Sequence, residues 1–293
     1  MYEILNASNL IKKYDDNVVV KNASFSLEKG KIYGLLGPNG AGKTTIMKLI
    51  SNMLKKDGGN ITYNDDLKIK YLMDVPMFYE YMSVNEYLLL IADLNNLDNK
   101  EMVIGNLLVK TNLLEHKDKL IKELSRGLRQ KLGIASVLVT DVDLLILDEP
   151  VSALDPIGRK EVLDLIESLK GEMCVIFSSH ILVDIEKVCD NIILIHNGKI
   201  LVNDSVSNIL NKGNYLLVKC ENREQILALK EMYEGSEFSS NYENTIEIEY
   251  EDLLAKQQEV LKYAKKLKVV VEKMEIKRET LEEVFLKEVN RHE

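Results

Sequence analysis

The chain has 293 residues, 46% of them hydrophobic and 29% charged, with a formal net charge of -9 at pH 7. This length suits one large domain, alone or with a small companion, and the balance excludes disordered, collagen-like and disulfide-scaffold classes. The acidic excess opposes attraction to nucleic acid or to an anionic lipid surface.

Met1 to Tyr14 lacks a basic flank, an apolar stretch and a small-residue cleavage site, so no secretory leader is expected and the chain should stay inside the cell. No apolar run approaches the roughly 20 residues that cross a bilayer, because even Glu86 to Asp93 is short and closed by acids. Direct lipid insertion is not expected. Cys174, Cys189 and Cys220 lack CxxC spacing and sit among apolar residues, as buried thiols of a reducing compartment do.

The first half alternates apolar β-type runs with amphipathic stretches, which predicts an α/β fold with a mostly parallel sheet and some antiparallel β elements. A strand is expected over Ile32 to Leu36 and a helix over Ile46 to Leu54. From about residue 81 to 124 leucines recur at helical spacing, predicting a helical insert. Strands resume at Leu144 to Leu147, Cys174 to Ser178 and Ile192 to Ile195. Asn197-Gly198 then predicts a hairpin turn into Lys199 to Val202, since both residues accept positive φ.

After Lys212-Gly213-Asn214 the rhythm changes. The expected elements are a strand at Tyr215 to Cys220, a helix from Glu224, a strand at Thr245 to Tyr250, a helix from Asp252, a strand at Val269 to Lys273 and a helix from Thr280. This predicts two domains, 1–212 and 213–293, the second a small α/β appendage for regulation or assembly. The lysines between Lys262 and Lys268 read as a solvated helix face.

Gly37-Pro38-Asn39-Gly40-Ala41-Gly42-Lys43-Thr44-Thr45 fits GxxxxGK[ST] and stands between an expected strand and an expected helix, as that motif requires. Backbone N–H groups of such a loop surround phosphate oxygens, Lys43 brings a positive charge to the β and γ phosphates, and Thr44 offers a hydroxyl to Mg²⁺. Leu144 to Leu147 followed by Asp148-Glu149-Pro150 is the pattern of a buried parallel strand delivering two carboxylates to its C-terminal edge. An Asp-Glu pair at a strand end is commonly just a solvated turn. Downstream of a phosphate loop, Asp148 suits a metal ligand, direct or through water, and Glu149 suits polarising or positioning a water for in-line attack.

Taken in order, these residues resemble those of the ABC ATPases, P-loop NTPases that power membrane transport. Leu124-Ser125-Arg126-Gly127-Leu128 is similar to the family's signature, Ser152-Ala153-Leu154-Asp155 to its D-loop and His180 to its switch histidine. Tyr14 is similar to the aromatic residue on which adenine stacks, with Val19 beside it. The resemblance covers roughly residues 1–210. It implies ATP and Mg²⁺ as ligands and Glu149 and His180 as the catalytic residues. Gly37, Asn39, Gly40, Ala41, Gly42, Lys43, Thr44 and Thr45 would hold the phosphates, while Thr44 and Asp148 would serve the metal.

The resemblance further implies two similar ATPases packed head to tail, as a homodimer or a heterodimer, with Ser125 and Gly127 reaching the partner's ATP. A separate transmembrane permease would hold the pair at the inner face of the membrane. Three positions depart from the family pattern: Asp74 stands where a glutamine is common, and would meet Mg²⁺ as an acid; Arg126 replaces a glycine and Leu128 a glutamine. Thr280-Leu-Glu-Glu-Val-Phe-Leu286 resembles the closing segment of the ABC-2 exporters, a group that includes drug, bacitracin, lantibiotic and sodium exporters. The competing reading is a soluble ABC ATPase acting on ribosomes or DNA. A single P-loop, an acidic charge and the lack of a sustained heptad run speak against it.

Overall fold

The structure is a computed structural model that describes residues 2–64, 66–211, 214–233, 237–238, 244–278 and 280–292. The chain divides into two compact units, which meet in sequence at Val206 and Ser207. The expected boundary at Lys212-Gly213 lies outside the described residues.

In chain order the first unit holds β1 (Glu3–Tyr14), β2 (Asn17–Glu28), β3 (Ile32–Leu36), α1 (Lys43–Ile50), β4 (Gly58–Tyr63) and β5 (Ile69–Leu72). Then come α2 (Val84–Leu94), α3 (Lys100–Lys110), α4 (Arg126–Val137), β6 (Leu144–Leu147), α5 (Pro156–Ser168), β7 (Cys174–Ser179), α6 (Leu182–Val188), β8 (Asn191–His196) and β9 (Lys199–Ser205). Helix α7 (Val206–Asn211) spans the junction. The second unit continues with β10 (Asn214–Cys220), α8 (Arg223–Lys230), β11 (Glu237–Phe238), β12 (Thr245–Glu249), α9 (Leu253–Leu267), β13 (Val271–Arg278) and α10 (Leu281–His292), the last of which belongs to it as far as Asn290.

The main sheet has the order β5-β6-β7-β3-β8-β9. Its first five strands are parallel, and β9 returns antiparallel to β8 through Asn197-Gly198, whose φ angles of 47° and 80° are those a type I′ turn demands. Both faces of this sheet are covered, which explains the unbroken apolar runs of β3, β6 and β7. On one face, α1 and the three-stranded antiparallel sheet β2-β1-β4 share a core built from Leu10, Phe25, Ile46, Met47, Ile146 and Ile176, among others. On the other, α6 packs against β3 and β7.

Between β5 and β6 the helices form their own apolar core, in which Leu88 of α2 and Leu108 of α3 join Leu132 and Ala135 of α4. Ser83 opens α2 with a reciprocal capping box: its hydroxyl accepts the Glu86 N–H while Glu86 accepts the Ser83 N–H.

Most expected elements shift by a residue or so, β9 runs three residues further to Ser205, and two elements differ most from their expected limits. Helix α1 begins at Lys43 rather than Ile46 and ends at Ile50, because its polar first turn continues directly from Gly42 and Asn52 turns left-handed at φ 58°. Strand β13 begins at Val271, since the Val269 N–H still closes α9 on the Ala264 carbonyl, and it runs on to Arg278.

The second unit has the chain order βαββαβ and the sheet order β11-β12-β10-β13, antiparallel throughout. That is the split βαβ arrangement. Its core joins Leu216, Val218 and Ile246 from the sheet to Ile226, Leu229 and Val260 from α8 and α9.

Candidate active site

Strand order places the site. β6, β7 and β3 are adjacent and parallel, so the residues leaving their C-terminal ends lie side by side. β3 leads into Gly37, β6 into Asp148 and Glu149, and β7 into His180. Phosphate-loop residues 38–40 are exposed, as is Thr44, whereas Gly37, Ala41, Gly42 and Lys43 are buried and Thr45 is half-buried. A Cβ on Gly37 would stand 2.3 Å from the Ile195 carbonyl oxygen, so only glycine lets the chain pass there. The opening turn of α1 carries N–H groups without intrahelical partners, the usual property of a helix start and the basis of anion binding.

Lys43 is 7% exposed. Its ammonium donates to the carbonyls of Gly37 at 2.8 Å and Pro38 at 3.3 Å, and lies 3.5 Å from Glu149 Oε1. Glu149 Oε2 is 3.0 Å from His180 Nδ1. Thus Lys43, Glu149 and His180, three residues scattered in sequence, form one line of contacts.

Glu149 occupies the left-handed region at φ 47°, a conformation that costs a non-glycine residue about 1 kcal/mol. Its N–H donates to Ser178 Oγ at 2.8 Å, and that same hydroxyl donates to Asp148 Oδ1 at 2.8 Å. The second oxygen of Asp148 accepts from Tyr71 at 2.9 Å. Burial, then the neighbouring Asp148 charge, pushes the Tyr71 phenol well above its ordinary range, so it stays a donor. Ser178 and Tyr71 carry no motif that marks them in the sequence. They become visible only with the register, which pairs Leu147 with Phe177 and Tyr71 with Ile146.

Asp74 is exposed and accepts from Ser152 at 3.5 Å. Desolvation raises its carboxyl above the usual value; Arg126 opposes the shift and the Asp148 and Glu149 charges add to it. Val19 is drawn to the loop: a Cβ on Gly42 would meet its carbonyl oxygen at 3.1 Å. Tyr14 lies at the end of the β1–β2 hairpin, 46% exposed, with Lys12 over its ring at 5.6 Å. Ser125 caps α4, accepting the Leu128 N–H at 3.3 Å, and both it and Arg126 are exposed. Gly127 faces Gly158 of α5, where a Cβ would come within 3.5 Å of the Cα. These signature residues therefore pack with the helices rather than joining the Lys43–Glu149–His180 line.

A glycine-rich loop between a central parallel strand and a helix, facing carboxylates from a neighbouring strand, defines a nucleotide-binding P-loop ATPase. The ABC transporter family model matches residues 20–152. Over 304 residues the chain is 36% identical to an uncharacterized ABC transporter ATP-binding protein of Bacillus subtilis, covering 99% of this chain and 98% of that one. It is 38% identical over 207 residues to a lantibiotic transport ATP-binding protein of Streptococcus pyogenes, covering 68% of this chain and 90% of that one. Among solved structures, it is similar to cbiO1 from Clostridium perfringens, part of the ABC transporter complex cbiONQ. That match has a TM-score of 0.66 and 25% identity and covers 72% of this chain and 92% of the other. The chain belongs to the ABC transporter ATP-binding proteins. It binds ATP and hydrolyses it to power transport.

Proposed function

We propose that this chain is the motor of an exporter, closing with a second copy or a similar ATPase around two Mg-ATP and driving a separate membrane-spanning permease from its cytoplasmic side. The observation that carries this reading is the placement of Glu149 between Lys43 and His180 at the joined ends of β3, β6 and β7. Lys43 and the loop N–H groups neutralise and hold the triphosphate. Glu149 orients and polarises the attacking water, and His180 senses the γ phosphate and steadies Glu149. Tyr14 and Val19 receive the adenine.

The oxygen donors suit Mg²⁺, which keeps several waters and takes one or two protein oxygens beside those of the nucleotide. Thr44 would supply its exposed hydroxyl. Asp148, oriented at both oxygens by Ser178 and Tyr71, would act directly or through water, and Asp74 stands near as a further acid. The exposed cap residue Ser125, with Gly127 beside it, would meet the ATP of the other subunit.

Export rests on the similarity to the lantibiotic transport protein and on the Thr280 to Leu286 segment. Residues 213–293 would serve regulation or assembly. No helix among the described residues is long and apolar enough to cross a membrane; in this reading the permease supplies the path. The test is affinity capture of the chain from detergent-solubilised membranes of its source, with flotation of the purified protein on protein-free vesicles. Recovery of an integral membrane protein and failure to float are expected. Strong flotation without a partner would refute the borrowed path.

A further inference from the structure

The sheet of the second unit ends on β13, which pairs with β10 alone. A strand in that place turns the N–H and C=O of alternate residues away from its neighbour, a template for another strand. β13 is eight residues long, with neither proline nor glycine, and its register shift lies at its start, opposite Lys219 and Cys220. Glu272, Lys273, Glu275 and Ile276 are exposed, Ile276 at 52%. Of the devices that usually blunt a long edge, β13 carries charged side chains but, among the described residues, neither proline nor a central bulge, so charge is what selects its partner.

Side chains decide what such an edge accepts. The pairs Leu216↔Ile276 and Val218↔Met274 put Met274 and Ile276 on the face that carries the α8–α9 core, and Lys273 and Glu275 on the other. Lys273 and Glu275 flank Met274 symmetrically with opposite charge, and at present they satisfy each other at 2.5 Å.

We propose that β13 pairs antiparallel with β13 of a second copy about a twofold axis at Met274, joining the two sheets edge to edge. In that register Lys273 faces the partner's Glu275 and Glu275 faces the partner's Lys273, on one face of the joined sheet. Centring the axis on Lys273 or on Glu275 sets like charges directly opposite, which is unfavourable. Centring it on Ile276 again opposes unlike charges but shortens the overlap and draws on Lys277, already bound to Glu247 and Glu283. An axis between two residues would oppose residues whose side chains point to opposite faces, which an antiparallel pair does not allow. The contact needs no nucleotide and lies outside the ATP-held pairing proposed above.

Sedimentation velocity of the full chain without nucleotide tests this. The parent should form a concentration-dependent dimer, and Lys43→Ala should form it equally, which separates this contact from the ATP-dependent one. Glu275→Lys and Lys273→Glu should each be monomeric. The double swap, Lys273→Glu with Glu275→Lys, should recover the dimer because it restores opposite charges across the axis. Met274→Cys should cross-link to itself under mild oxidation, since directly opposed antiparallel residues have Cα atoms about 4.5–5.5 Å apart, within disulfide reach. The exposed Leu254→Cys on α9 should not. A monomeric parent, dimers that survive either single reversal, or a swap that stays monomeric would each overturn the proposal.

Discussion

Glu149 Oε2 and His180 Nδ1 stand 3.0 Å apart, linking the acid that leaves β6 to the histidine that leaves β7. A neutral imidazole with its proton on Nδ1 can donate across that gap, leaving Nε2 free to face a ligand. The contact restricts where the carboxylate can swing while Lys43 holds its other oxygen at 3.5 Å. His180→Ala should lower ATP turnover about 100-fold, on the scale of a lost general acid–base partner, while ATP affinity stays within a few-fold. Steady-state hydrolysis and equilibrium nucleotide binding, measured side by side, check this; equal losses in both would mean that the histidine serves binding.

Ser178 is buried beneath the site and holds two things at once, the Glu149 backbone and the Asp148 carboxylate. Ser178→Ala leaves a buried N–H and a carboxylate oxygen each short of a partner, at about 1–3 kcal/mol. The left-handed turn at Glu149 loses its anchor as well. Hydrolysis should fall at least about 10-fold on that energy scale, and Ser178→Thr, which keeps the hydroxyl, should recover part of it. Urea titration of both variants separates the loss of activity from the loss of stability.

The parallel core was legible because Leu144 to Leu147 and Val175 to Phe177 are apolar without interruption, as strands buried on both faces must be. Antiparallel elements were expected, but β1 and β2 were not placed, although each is 12 residues long. Asn9 and Asn22 take positive φ, and register shifts fall between Ala7 and Leu10, so the alternation that announces a half-buried strand breaks in the middle. Within the site, the phosphate loop is contiguous and could be read directly. Ser178 and Tyr71 owe their places to cross-strand register, which composition does not encode. In β13 the charged alternation of an edge strand hid its length, while Val269 suggested too early a start.

Arg159 of α5 grips both oxygens of Asp184 through Nε at 2.9 and 2.8 Å, and Asp184 is 5% exposed. Removing the guanidinium strands a carboxylate in the interior. Arg159→Ala should destabilise the first unit by about 3 kcal/mol, at the lower end for a broken buried pair because Arg159 itself is partly exposed. Replacing both residues, Arg159→Met with Asp184→Leu, should return much of that loss. Urea unfolding midpoints of the parent and the two variants decide it.

Cys220 is fully buried, and burial, with the Glu272 charge adding, lifts its thiol to about 11. Cys174 and Cys189 are also raised by burial. A folded-state value above the unfolded one, about 8.5, means that the fold favours the neutral thiol. This contribution is complete below the unfolded value and is lost as pH rises toward 11. The stability of the parent should therefore fall more steeply between about pH 9 and 11 than that of Cys220→Ala. At about pH 8, below the ordinary thiol value, iodoacetamide should label none of the three thiols in the native chain and all three in denaturant.

Replacing Glu149 with Gln and Lys43 with Ala should both abolish turnover, yet for opposite reasons. In Glu149→Gln the new amide preserves size and can still meet His180, but the negative charge that orients and activates water is gone. ATP should bind and persist. Lys43→Ala instead removes the buried ammonium that lies 3.5 Å from Glu149 Oε1 and 2.8 Å from the Gly37 carbonyl, the cation placed to meet the phosphates. ATP binding itself should weaken, since charge-assisted contacts to phosphate are among the strong ones. With Mg-ATP present, Glu149→Gln should accumulate the ATP-held pairing and Lys43→Ala should not. To read this apart from nucleotide-free association through β13, both substitutions should be made in the Glu275→Lys background. Light scattering after size separation then reports dimer for the first and monomer for the second. Hydrolysis by Glu149→Gln at the parent rate would remove this residue from the handling of water.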